Sequence, residues 1–470
     1  MTGRLIDMTL AEASHALQAG TVSSVELVQA CLDRAADVQP AVNCFISIES
    51  EDALKAAAQA DAEITRGERR GPLHGIPLAH KDMFYRAGKV NTFGSKIFRD
   101  YTPDFTSTVM DRLSTAGAIY LGSLNMAEFA TGPVGQNDHF GQIRNPWNTD
   151  HVSGGSSSGS GAVLAARACF GALGSDTGGS CRLPAGMCGV VGLKPTYGLV
   201  SRHGGLPRCW TLDCFGPLAR TAQDVAILLQ AIAGFDEHDP TTTSDPVPDY
   251  LEGLSGELHG LKVAVPTNHL YPDVDPRLKP ALDASLDTLR HLGCEIVELE
   301  IPDPERTYDL TNVINKSEAA ALHDEWIRTR PEDYSISVRA RMEAGFFIPA
   351  TRYIQAQRLR PRFMAEFDDA VFTRADVLFT PVTSIPVPRI EEANITRSAD
   401  APRIINAITR CTRWVSYLGL PALSVPCGFT EQGLPVGFQI IGRPFDEATL
   451  LRLADAYQSA TDWHTRTPPL

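Results

Sequence analysis

Apolar positions along the chain follow two regimes, and the change comes near Gly71. Before it the pattern is helical: Leu27, Val28, Cys31, Leu32 and Ala35 recur at spacings that share one helix face. Thr9-Leu-Ala-Glu12 and Ser23-Ser-Val-Glu26 each set a hydroxyl cap three residues before a glutamate, which predicts two helix starts. A third, alanine-rich helix is predicted over 52–64, and "RGERRG" (66–71) reads as a solvated loop.

After Gly71, short apolar runs alternate with helical stretches. Strands are predicted at 76–80, 118–122, 172–175, 262–266, 295–299, 377–380, 422–426 and 436–441. Helices are predicted near 107–116, 160–170, 276–292, 349–367, 403–418 and 447–460. Such alternation predicts an α/β fold, a largely parallel sheet with helices on both faces. The Pro/Thr/Asp-rich "DEHDPTTTSDPVPDYLEG" (236–253) is the most linker-like stretch. Alternation resumes beyond it, so a long surface excursion within one domain is expected. No internal repeat or low-complexity tract interrupts the pattern.

Composition narrows the function classes. The 470 residues carry a formal charge of −14, which argues against broad capture of nucleic acid or of an anionic membrane. The first twenty residues lack the apolar core of a signal peptide, and no stretch reaches the ~18 uninterrupted apolar residues of a membrane span. "AVLAARACFGALG" comes nearest and is broken by Arg167. Ten scattered cysteines without a CxxC predict reduced thiols and a cytoplasmic location. Twelve histidines show no HExxH, and GxxxxGK[ST] is missing, so neither a metal nor another cofactor is expected.

The candidate chemistry concentrates between residues 150 and 182. "SGGSSSGSG" (153–161) has the composition of a flexible linker, yet a helical apolar run follows at once. Gly155-Ser-Ser157-Ser-Gly159 matches the GxSxG nucleophile elbow, but polar "RNPWNTDHV" precedes it where that elbow needs a buried strand. Asp176-Thr-Gly178 matches the aspartic-protease triplet, without the second copy needed to share a proton. A serine nucleophile with a lysine base is the reading that uses both serine clusters. A serine hydroxyl needs a base, and no histidine lies within either cluster, although His151 stands just before the first. Lysine serves if burial lowers its pKa from about 10.4 toward 7–8. Lys81 ends the apolar run "GIPLAH", at the sheet edge where open α/β sheets bind ligands. Taken by itself, Lys81 reads more simply as a surface lysine paired with Asp82. The Ser-Lys motif SxxK is absent.

Three segments in order, "GIPLAHKD", "GGSSSGSGAVLAA" and "GSDTGGSCRLPAGMCGVVGLKPTYG", resemble successive blocks of the amidase signature family. The spacings agree with it: 75 positions from Lys81 to Ser156 and 24 from Ser156 to Ser180. The likeness is strongest over 71–224 and resumes at "IPATRYIQAQRLR" (348–360) and over 419–458. It implies one amidase-type α/β domain over 1–470, with a central twisted mixed sheet covered by helices on both faces. Within it, 1–70 forms an N-terminal helical segment, 71–225 the signature core, and 300–370 a helical region over the substrate pocket.

The resemblance implies roles for particular residues. Ser180 is the nucleophile, Ser156 the bridging serine after a cis Gly155–Ser156 bond, and Lys81 the neutral base. The backbone N–H groups of Thr177, Gly178, Gly179 and Ser180 form the oxyanion hole, where glycine lets the backbone approach the substrate. Ser157, Asp176 and Arg182 brace the loop. Met83, Met126, Phe129 and Trp210 are candidate pocket residues near these motifs; Ile314, Trp326, Phe346 and Phe347 are candidates from the helical stretch beyond 306. Ser158 replaces a glycine usual in the family, and His80 and Met83 flank the lysine where smaller or polar residues are common. Both departures bear on the pocket and leave the reacting groups in place.

The implied activity is hydrolysis of a small amide through an acyl-enzyme, with anilides, esters and carbamates as related substrates and a homodimer as the default assembly. The alternative is the A subunit of a glutamyl-tRNA amidotransferase, a glutaminase that needs partner subunits and an ammonia channel. In that subunit an aspartate for the glutamine ammonium precedes the "GLPALSVPCG"-like block by about ten positions. Thr409 and its neighbours supply none here. A catalytically dead binding protein on the same fold is a third reading, and the presence of all three triad residues argues against it.

Overall fold

The computed structural model describes residues 5–254 and 256–470. In chain order its strands are β1 (Phe45–Ile48), β2 (Pro77–Lys81), β3 (Ile119–Leu124), β4 (Arg144–Asn145), β5 (Asn148–Val152), β6 (Gly171–Asp176), β7 (Val191–Lys194), β8 (Cys214–Ala219), β9 (Lys262–Pro266), β10 (Glu295–Leu299), β11 (Val377–Pro381), β12 (Ala422–Phe429) and β13 (Pro435–Ile441). Eleven of them form one sheet in the order β1-β3-β2-β6-β8-β7-β12-β13-β11-β9-β10, and β4 and β5 make a separate hairpin. Helices cover both faces.

Six of the ten ladders in the large sheet run antiparallel, so the sheet is mixed rather than largely parallel. The alternation rule fails at three additions. The N-terminal segment is not purely helical: β1 leaves the helix Ser24–Val42 and pairs antiparallel with β3 at the sheet edge. β7 and β8 form antiparallel neighbours at the centre, and β12 and β13 form a second such pair.

Both predicted capping boxes close. Thr9 N–H donates to Glu12 Oε2 while Glu12 N–H donates to Thr9 Oγ1, and Ser23 with Glu26 repeats the arrangement. The helix expected over 160–170 is shorter, Ser158–Ala165, because Arg167 turns to φ 61° and sends its guanidinium to the Asp7 and Thr465 carbonyls. The helix expected over 403–418 is two, Ala401–Thr409 and Arg413–Leu418. The break between them sets Thr412 and Arg413 against the site. Region 300–370 is helical, with Pro304–Thr329, Ile336–Glu343 and Ala350–Phe367 as its main helices. The excursion over 236–253 is tied down: buried Asp236 accepts from Thr108 Oγ1 at 2.6 Å and from Ser201 Oγ at 2.5 Å.

Candidate active site

β2 and β6 lie side by side in parallel, with His80 opposite Leu173. That register brings Lys81, the last residue of β2, next to the end of β6. Lys81 Nζ lies 2.7 Å from Ser156 Oγ and 2.8 Å from Ser175 Oγ. It is buried, and burial pushes its pKa down to about 7, only partly opposed by Cys181, Asp213 and Asp176. The surface pairing with Asp82 is not formed. Asp82 turns instead to the Thr92 hydroxyl, the Thr92 N–H at 3.0 Å and Asn91 Nδ2 at 3.1 Å. Such a lysine is half deprotonated near neutral pH, which suits a base.

The glycine-serine run over 153–161 is buried throughout, so it is packed backbone and not a linker. Its Gly155–Ser156 bond is cis. Small residues are required here: a Cβ on Gly174 would overlap Ser157 Oγ, and one on Gly159 would overlap the Asn125 carbonyl. Ser157 pins this run to the second cluster. Its hydroxyl accepts from Ser175 N–H and donates to the Ser175 carbonyl, both at 3.2 Å, and its N–H donates to the Ser180 carbonyl at 3.3 Å. Ser158 Oγ donates back to the Gly154 carbonyl at 2.7 Å, so the departure from glycine is absorbed locally.

The loop 177–180 continues from β6 and is held by a buried ion pair. Arg182 Nε donates to Asp176 Oδ2 at 3.0 Å and its second nitrogen to Oδ1 at 2.9 Å. Burial by itself raises the Asp176 pKa, but the Arg182 charge and hydrogen bonds outweigh it and hold the carboxyl below its ordinary value. Gly179 N–H donates to Asp176 Oδ1 at 2.6 Å, with Gly179 at φ 132°, a conformation that favours glycine. Of the four amides expected for an oxyanion hole, this one is therefore committed to Asp176, which leaves those of Thr177, Gly178 and Ser180 as candidates. Thr412 Oγ1 donates to the Gly178 carbonyl at 2.8 Å, and Thr177 Oγ1 donates to Asp213 Oδ1 at 2.5 Å.

A cleft of about 320 Å³ opens over this loop. Gly155, Thr177, Gly178 and Ser180 line one side; Asn312, Asn315 and Lys316 of the long helix line another, with Arg208, Arg341 and Arg413 between them. Asp213 positions Arg208 by accepting from the backbone N–H groups of Arg208 and Cys209 at 2.7 and 2.8 Å.

A family model for amidases matches residues 26–451. The A subunit of glutamyl-tRNA(Gln) amidotransferase from Roseiflexus sp. (strain RS-1) is 40% identical, covering 99% of each chain. The chain belongs to the amidase family. Among solved structures, this amidase superposes with a TM-score of 0.90, at 33% identity over 96% of this chain and 98% of the other, on a member of a vestigial protein complex that reveals the origins of an s-triazine catabolic enzyme. It superposes at 0.84, with 30% identity over 98% of both chains, on a peptide amidase from Stenotrophomonas maltophilia. It is an amidohydrolase, acting on C–N bonds.

The amidase's apolar pocket candidates lie elsewhere. Met83, Met126 and Phe129 are buried in the main core, where Phe129 stacks on Trp326 and meets His323 edge-on. Ile314 is buried in a second core. Trp210 is half-exposed in a separate hollow beside His203 and His238, and Phe346 and Phe347 face solvent. None of these lines the cleft at Ser180. An apolar residue near a motif looks the same whether it packs a core or lines a pocket. His80 also points away, its Nδ1 accepting from Leu173 N–H at 3.0 Å. Sequence reasoning gave no role to Ser175, although it lies within the quoted segment that begins at Gly174, and it missed the three arginines. Among the described residues no helix is long and apolar enough to cross a membrane.

Proposed function

We propose that this amidase hydrolyses an amide through Ser180, with Ser156 and Lys81 as its proton relay. The observation that supports this most directly is the Lys81 amine held between two serine hydroxyls with its pKa near 7. Ser180 Oγ attacks the amide carbonyl while its proton passes through Ser156 Oγ to Lys81 Nζ. The tetrahedral oxyanion is received by the amides of Thr177, Gly178 and Ser180, donors of a kind worth roughly 3–4 kcal/mol each. The C–N bond then breaks and the relay returns the proton to the departing nitrogen. Water, deprotonated along the same path, cleaves the Ser180 ester and frees the acid.

Two settings share this chemistry. The curated relatives favour an amidotransferase A subunit over the stand-alone amidase expected from the sequence, since likeness of 40% runs the whole length of the chain. That setting makes glutamine the amide and requires partner subunits. One observation favours the stand-alone setting: Thr409 lines the cleft, and no carboxylate stands among the cleft's lining residues to meet a glutamine ammonium.

Covalent labelling with a broad serine-hydrolase phosphonate, mapped by peptide mass spectrometry, tests the mechanism. Label on Ser180 that is largely lost in Lys81→Ala is the expected result, and label on Ser157 overturns the assignment. Glutaminase activity that appears only when partner subunits are added decides for the A-subunit setting.

A further inference from the structure

The cleft at Ser180 runs against the charge of the whole chain. Acidic residues outnumber basic ones 56 to 42, yet the cleft is lined by Arg208, Lys316, Arg341 and Arg413 and by no aspartate or glutamate. Neutral atoms hold the guanidiniums in place. Arg413 donates to Asn312 Oδ1 at 2.6 Å and to the Tyr308 hydroxyl at 3.0 Å, with its guanidinium carbon 4.8 Å from the centroid of the Tyr308 ring. Arg341 donates to the Thr131 carbonyl at 3.3 Å, and buried Arg208 has Met342 Sδ at 3.6 Å. Among the described residues none of the three has a carboxylate within ion-pair distance.

Contrast Arg182, fully buried and met by Asp176. Of the three cleft arginines only Arg208 is buried; the Asp213 carboxylate accepts from its backbone N–H and only partly offsets its burial. Arg341 and Arg413 are half-buried. A buried cation without a counter-ion is costly, and a fold keeps such a group where something else supplies the anion. The three guanidiniums also act on one another: burial first, then Arg413 and Arg208, lower the Arg341 pKa to about 10. A carboxylate between them relieves that repulsion and gains two-pronged hydrogen bonds. An ammonium adds to it.

The geometry points to an amide that carries carboxylate groups and no ammonium as the substrate of this cleft. The inference rests on the hydrolase reading above and concerns only which amide is taken. Four cations exceed what one carboxylate neutralises, so a substrate with two carboxylates fits better than one with a single carboxylate, and that better than a neutral amide.

The test uses the full chain and four primary amides: butanamide, succinamate, the monoamide of tricarballylate, and glutamine. Ammonia release is expected to show kcat/KM at least tenfold higher for succinamate than for butanamide, higher again for the tricarballylate monoamide, and lower for glutamine than for succinamate. Butanamide or glutamine matching succinamate overturns the inference. Calorimetry with tricarballylate itself reads binding without turnover. Binding in wild type that weakens at least tenfold in Arg341→Gln and in Arg208→Gln supports the inference even if Ser180 proves unreactive, whereas no binding to wild type overturns it. A Ser180 that never labels while tricarballylate still binds overturns the hydrolase reading alone.

Discussion

Lys81 and Ser175 stand at the ends of neighbouring parallel strands, and their side chains meet 2.8 Å apart. In the mechanism proposed above, this contact gives Ser175 the part of a positioning residue. If its hydroxyl takes one amine hydrogen, the lysine lone pair is left to face Ser156. Removing a general base costs about 10²–10⁴-fold in rate, and loosening its aim costs a part of that. Ser175→Ala is expected to lower kcat by about tenfold or more with KM nearly unchanged, and Ser175→Thr to restore part of the loss. A change confined to KM contradicts this role.

With Lys81 as the base proposed above, the pH profile follows from its amine. With its pKa near 7 the base is neutral only above that point, so kcat/KM rises with pH through a midpoint near 7 and levels off at higher pH. Steady-state rates between pH 5.5 and 9 check it. A midpoint near 10 means that the lysine is not desolvated in solution.

Stability carries the same shift with a definite sign. Between pH 7 and 10.5 the unfolded chain holds a proton on Lys81 that the folded chain has released, so this lysine's penalty shrinks as pH rises through that window. Each unit is worth about 1.36 kcal/mol. Lys81→Met removes the penalty. The variant is expected to be more resistant to heat than wild type at pH 7, by an amount that narrows toward pH 10. Thermal melts that run parallel across this range rule out the linkage.

The parts legible in the sequence are those that local rules reach. Glu295–Leu299 and Lys262–Pro266 are bounded apolar runs, and the structure has them as strands with those bounds. The capping boxes depend on neighbours three residues apart. β8 escaped because "CFGPLA" carries glycine and proline and no alternation; it is buried on both faces and is stabilised by its neighbours β6 and β7. The serine and lysine segments were legible through their resemblance to the amidase signature blocks, with which their spacing agrees. The cationic wall was not, since Arg208, Arg341 and Arg413 come from a loop, a short helix and a helix start, and only the fold brings them to one cleft. Thr412 reaches Gly178 because a helix breaks at 410–412, where the apolar pattern runs on without a signal.

The Asp176–Arg182 pair braces the loop, and its loss is expected to reach stability before chemistry. Both groups are fully buried, so Asp176→Asn leaves a guanidinium uncompensated at a cost of about 3–5 kcal/mol. Urea denaturation should show a lower midpoint with an unchanged slope. A loss below about 1 kcal/mol means that water or a moved side chain takes over the charge.

Gly179 ties the loop's conformation to its neighbours in two separable ways. Its φ of 132° disfavours any side chain, and a Cβ there would collide with Thr412 Oγ1. Gly179→Ala is expected to lower kcat by about a hundredfold or more, because a displaced loop moves Ser180 and the adjacent amides together, and one such donor is worth roughly 3–4 kcal/mol. Adding Thr412→Ala removes the collision and leaves the backbone strain. The double variant should therefore regain part of the lost rate relative to Gly179→Ala, while Thr412→Ala alone falls modestly through loss of its hydrogen bond to the Gly178 carbonyl. If the two losses simply add, the collision contributes nothing and the backbone conformation of Gly179 alone sets the loop.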